Sequence, residues 1–360
     1  MRNLAFLIWV LMLGITGCAV EPEKDTEPTG PIYFPAPPDE PRFVFERTVQ
    51  ASSAVEQVDS QTRMRQMLTG ESSSGTVMSK PFDVAVCQGL IFVSDTVLRS
   101  VLVFDVPGKR FYQIGAEETA LVRKPLGLAT DEECNLYIAD GTTRQIMIFN
   151  QAGQFLKAIG GQEWFERLSH VTVSRDGSRV FAVDTGNIRS TSHHVRVFDG
   201  QNGKHLFDIG ERGEEEGKLN LPRDAELGPD GNLYVVDGGN FRVQVFDQQG
   251  KLIRTIGTLG RRYGQFARPK GIAIDPAGNI YVSDAAHGNF QIFSNDGKLL
   301  LFVGKRSESF GPANYMLPAG IDVDEDGRIY MVDQYFRKLD VYRPVTITET
   351  EGYVGAWQLK

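Results

Sequence analysis

The stretch Leu221-Pro222-Arg223-Asp224-Ala225-Glu226-Leu227, Gly228-Pro229-Asp230-Gly231-Asn232, Leu233-Tyr234-Val235-Val236-Asp237 decides the fold. It spells one strand, a tight turn and a second strand that ends in Asp. A third strand follows, Arg242-Val243-Gln244-Val245-Phe246, and Gly250-Lys251-Leu252-Ile253-Arg254-Thr255-Ile256-Gly257 closes the unit. Apolar and polar residues alternate as in half-buried strands, and Asp-Gly suits a short hairpin. Outward from this copy the same unit recurs. The strand-ending Asp returns at Asp95, Asp140, Asp184, Asp237, Asp284 and Asp333, with gaps of 45, 44, 53, 47 and 49 residues. The aromatic that ends the third strand returns at Phe104, Phe149, Phe198, Phe246, Phe293 and Tyr342. A period of about 40–50 residues holding four short strands is that of a propeller blade. One such sheet cannot cover both of its faces, but packing between two neighbours does. The chain therefore reads as all-β, a six-bladed β-propeller with four antiparallel strands per blade.

The last unit ends Leu339-Asp340-Val341-Tyr342 and lacks an outer strand, while residues 42–49 form an apolar strand without a partner. We expect this N-terminal strand to complete the last blade and close the ring, removing an exposed edge. The propeller then spans residues 42–345. Residues 50–79 cross over to the first blade, with a short helix over 55–68, residues 80–345 carry the six repeats, and 346–360 form a C-terminal tail.

Pro269-Lys270-Gly271-Ile272-Ala273 and Asn240-Phe241-Arg242-Val243-Gln244-Val245-Phe246 resemble the motifs of the NHL-repeat family. The resemblance covers about residues 80–345. Blade three departs from it, lacking the opening Pro and inserting residues before His193-His194. The resemblance implies a binding or scaffold role as readily as an enzyme. Amidating lyases of this kind hold zinc with several His on the channel rim. Here only His170 falls in such a slot, and one His makes a poor zinc site. Gluconolactonase-type propellers place Glu, Asp and Asn around a divalent ion, which this channel partly imitates.

The N-terminus reads as a lipoprotein signal peptide over residues 1–17. A positive start and a short apolar run lead to Ile15-Thr16-Gly17-Cys18, which resembles a bacterial lipobox. Cys18 is the expected lipidation site. The expected location is extracytoplasmic and membrane-anchored, at the outer membrane if the cell has one, because Ala19 replaces the Asp that holds lipoproteins at the inner membrane. Residues 18–41, acidic and Pro-rich, read as a stiff tether. The formal net charge of −8 argues against nucleic acid as a partner. Cys18, Cys87 and Cys134 include no C-x-x-C-H, so no haem attachment is expected. An oxidising compartment permits a Cys87–Cys134 disulfide, unless the two turns lie too far apart.

Aligned on the inner strands, the channel-facing slots hold Asp83, Gly127, His170, Asp224, Gly271 and Gly320, then Ala85, Ala129, Thr172, Glu226, Ala273 and Asp322. Small residues suit a crowded axis, so Asp83, His170, Asp224, Glu226 and Asp322 stand out as ligand-binding candidates. Two readings are open: a hard-cation site, calcium on Asp83, Asp224, Glu226 and Asp322, or a polar channel filled by solvent. His193 and His194 are further candidates, on an exposed loop. The six strand-ending Asp residues are expected to bind turn N–H groups. With no paired nucleophile and base in view, the expected function is an envelope binding propeller with a protein or peptide partner. The alternative is a channel-centred, divalent-metal-dependent hydrolase or lyase.

Overall fold

In the computed structural model, the described residues are 30–56, 64, 68, 75–116, 120–355 and 357. The lipobox and Cys18 lie outside them, as does nearly all of the expected helix over 55–68. Six antiparallel sheets follow one another around a ring, five of four strands and one of five. Each inner strand lines the axis: Pro81–Cys87, Pro125–Thr130, Leu168–Val173, Pro222–Leu227, Pro269–Ile274 and Pro318–Val323.

The apolar faces of these sheets are buried in six clusters, each shared by two adjacent blades. Between blades four and five, for example, Tyr234, Val236 and Val243 meet Ile272, Ile280 and Phe293. No blade has a core of its own, so stability resides in the joints.

The strand-ending Asp residues fasten each blade to its loops. Asp284, fully buried, accepts the backbone N–H groups of Ala267, Arg268, Ala286 and His287 at 2.7–3.0 Å. Asp333 does the same for Met316, Leu317, Tyr335 and Phe336. One carboxylate thus satisfies donors from both the incoming and the outgoing loop.

The outer strand of blade six is Phe43–Val49, paired antiparallel with Lys338–Pro344 from Phe43↔Pro344 to Val49↔Leu339. Buried polar groups fix this joint. Thr48 Oγ1 donates to Asp340 Oδ1 at 2.6 Å, and Arg328 Nε donates to Glu46 Oε2 at 3.0 Å with no exposed surface on Arg328. Two segments differ from the sequence reading. Tyr33–Phe34 is a fifth strand on blade six, so the tether reading does not extend to it: Phe34 packs edge-on against Tyr342, 5.6 Å between ring centroids. The C-terminal tail docks as well, with Val354 and Trp357 buried beside Val49 and Met78. Arg47 lies over the Trp357 ring at 4.6 Å. An aromatic ring within a polar segment has enough apolar area to hold it down.

Cys87 and Cys134 are joined by a disulfide across blades one and two, with Cα atoms 5.7 Å apart. The hairpin turns of adjacent blades are therefore close enough to bridge.

Candidate functional site

The inner strands crowd at the axis, and the first layer of slots works because three glycines make room for three bulky groups. A Cβ on Gly127 would collide with the His170 ring, and one on Gly320 would collide with the Asp83 carboxylate. Into the space they leave, Asp83, His170 and Asp224 project from blades one, three and four. The imidazole lies between the two carboxylates, Nε2 2.9 Å from Asp83 Oδ2 and Nδ1 2.8 Å from Asp224 Oδ1. The carboxylates also accept backbone N–H groups of the next blade, Leu128 N to Asp83 at 2.8 Å and Ile272 N to Asp224 at 3.0 Å. Burial alone would depress the His170 pKa. Asp224 and Asp83 outweigh it and lift the value well above the ordinary one, so the ring is an imidazolium at neutral pH. The trio forms a polar plug across the channel.

Beyond the plug the channel widens into a funnel of about 960 Å³. Its floor includes Asp83, His170, Thr172, Glu226 and Asp322, and its mouth is made by the hairpin turns at Gln88, Glu132, Arg175, Pro229, Pro276 and Glu325. Glu226 and Asp322 each keep one side open to this cavity. Burial pushes the Glu226 carboxyl up to about 7, a rise that His170 opposes and Asp224 assists. Asp322 is held well above the usual carboxylate range, first by burial and then by the Glu226 charge, although Val86 N and Val323 N donate to its oxygens. Thr172 Oγ1 lies 3.3 Å from Glu226 Oε2. Both carboxyls of the floor therefore hold their protons to higher pH than ordinary carboxylates, Glu226 to about 7.

This arrangement does not assemble a four-carboxylate calcium set. Among the described residues, the groups that one ion could reach together are Asp83, His170 and Asp224, whose ligand atoms lie within 4.8 Å of one another. Glu226 and Asp322 stand outside that trio. A calcium ion takes 6–8 oxygens, whereas these carboxylates are already engaged by backbone N–H groups and by an imidazolium. The residues present do not fit calcium, although the same trio would offer two oxygens and a nitrogen to a divalent ion if the ring turned.

His193 and His194 are not free loop ligands. His193 is fully buried, its Nδ1 accepting Leu221 N at 3.2 Å and its Nε2 donating to Asn187 O at 2.9 Å, so it pins the loop. Burial lowers the His194 pKa, and its ring lies 3.9 Å from Asp184. Arg175 and Arg179 line the funnel and were passed over in the sequence, where charges in a hairpin turn look merely solvated.

Fold and site define a six-bladed propeller with a plugged axis and a carboxyl-floored funnel on one side. The NHL-repeat family model matches residues 219–246 and 266–293, the fourth and fifth blades. Two of the blades of this six-bladed propeller thus carry the NHL repeat. Among solved structures it is similar to a gluconolactonase from Xanthomonas campestris, at 18% identity and TM-score 0.56 over 74% of this chain and 86% of that one. It is also similar to a streptogramin B lyase, at 12% identity and TM-score 0.55 over 74% and 94%. A third is a Bacteroides thetaiotaomicron protein of unknown function, at 15% identity and TM-score 0.59 over 83% and 76%. At these identities the likeness is one of fold. No curated protein matches the chain.

Proposed function

We propose that the funnel is an active site for acid–base chemistry on a small polar substrate, of the hydrolase or lyase class. The observation that carries this reading is the Glu226–Asp322 floor. Two carboxyl groups with raised pKa values face a cavity of small-molecule size, as general acid–base work near neutral pH requires. Glu226, once ionised, takes a proton from an attacking water or from a substrate carbon. Asp322 gives its proton to the departing oxygen. The imidazolium of His170 sits beneath both and favours negative charge at the floor. Solved proteins of this fold named as a gluconolactonase and a streptogramin B lyase support the reading to the extent that the architecture houses small-molecule chemistry. Turnover should rise as pH passes about 7 with Glu226 ionisation. The test is hydrolysis of a panel of small lactones by purified protein. Glu226→Gln and Asp322→Asn should each lower kcat at least 100-fold without unfolding the protein. Wild-type turnover that survives both substitutions would remove the funnel from the mechanism.

The location belongs to the same proposal. A lipid on Cys18 would hold the ring at an extracytoplasmic membrane face, a reading supported by the Cys87–Cys134 disulfide, since such bonds persist in oxidising compartments. A second role, capture of an envelope protein, has one observation in its favour. Ile188 stands 76% exposed on the blade-three loop, whose carbonyls at Ile188 and Ser190 are fixed by Arg212.

A further inference from the structure

The inner strands begin at the end of the axis opposite the funnel, and their first residues form the other mouth. Over three consecutive blades this mouth is basic. Arg167 immediately precedes Leu168–Val173, Arg223 is the second residue of Pro222–Leu227, and Arg268 and Lys270 flank the start of Pro269–Ile274. Arg223 and Lys270 are half-buried and Arg167 and Arg268 exposed. Every charged neighbour that Arg223 or Lys270 feels is positive. The acids beneath them, Asp184, Asp237 and Asp284, are fully buried and already hold the backbone N–H groups of Arg167, Asn220 and Arg268. Burial, with the three guanidiniums, pushes the Lys270 ammonium down to about 8.

Like charges gathered in a chain of net charge −8 are costly unless a counter-charge joins them. Guanidiniums present fixed pairs of N–H donors that match oxyanions, and an ammonium adds a point charge. We propose that this mouth, formed by Arg167, Arg223, Arg268 and Lys270, binds a small multivalent oxyanion: free phosphate, pyrophosphate or the carboxylates of a small polyacid. The site is separated from the funnel by the Asp83–His170–Asp224 plug and does not depend on the acid–base reading.

Titration calorimetry at fixed ionic strength, with chloride as the balancing anion, tests it. The probes are inorganic phosphate, pyrophosphate and citrate, which separate a phosphate preference from a carboxylate one. One saturable site is expected, weakened at least tenfold in Arg223→Met/Lys270→Met and unchanged in Glu226→Gln. Saturable binding to none of the three probes, or equal affinity in the double variant, would overturn the proposal. Should the double variant fail to fold, the wild-type protein decides by another route. Lys270 should be among the lysines fastest to undergo reductive methylation at pH 8, and the bound anion should protect it. Labelling unaffected by saturating pyrophosphate and citrate would count against the site.

Discussion

His170 decides the character of the axis. As an imidazolium it neutralises one of two carboxylates that would otherwise face each other across the channel. Its raised pKa means that the stabilisation is full below the ordinary value of about 6.5 and is lost only as pH rises through the folded value. His170→Ala should therefore cost about 3–5 kcal/mol at pH 6, the scale for stranding a buried charge, and less at alkaline pH. Urea denaturation of both proteins across that range checks the sign, and a difference that grows with pH would contradict it. Much of this site was legible in the sequence, because aligning the repeats put Asp83, His170 and Asp224 in one layer and Glu226 and Asp322 in the next. The linkage within a layer was not. Repeat spacing fixes the slot a side chain occupies but says nothing of its rotamer across the ring. The calcium alternative, one of the two readings the sequence leaves open, rests on charge alone, which does not show the backbone N–H groups that engage these carboxylates.

At the scale of elements, the closing strand Phe43–Val49 joins the two ends of the chain through largely buried polar groups. Arg328 has no exposed surface; Glu46 is its nearer counter-charge at 3.0 Å, with Asp326 at 3.7 Å. Glu46→Ala should lower stability by about 3–5 kcal/mol, whereas an exposed, solvent-screened pair such as Lys298–Asp296 should contribute little. Thermal melts of Glu46→Ala and Asp296→Ala make the comparison, and equal small losses would show that the N-terminal strand bears little of the ring. This strand was readable from its apolar alternation and from the outer strand missing at Tyr342. Tyr33–Phe34 was not, since two residues amid prolines carry no periodicity and their pairing is decided by the Tyr342 ring they meet. The blade-three insertion was visible as extra length. That His193 anchors it was hidden, because burial of a loop histidine depends on the chain folding back over it.

Across the whole molecule, six joints of similar build hold a channel that is closed in the middle and differently charged at its two mouths. One mouth leads to a funnel whose floor stores protons near neutral pH. The other gathers arginine and lysine without acidic partners. The disulfide ties the first joint on the funnel side and helps keep Asp83 in register with its neighbours across that joint. The protonation state of the funnel floor decides whether it can do acid–base work, and it can be read without knowing the substrate. The measurement is a pH titration of side-chain carboxyl carbons by carbon-13 NMR on uniformly labelled protein, with Glu226→Gln used to assign the resonance. One glutamate carbon should titrate at about 7 and be missing in Glu226→Gln. If every glutamate instead titrates in the ordinary range near 4–5, the floor is an ordinary pair of ionised carboxylates and the acid–base reading of the funnel is wrong.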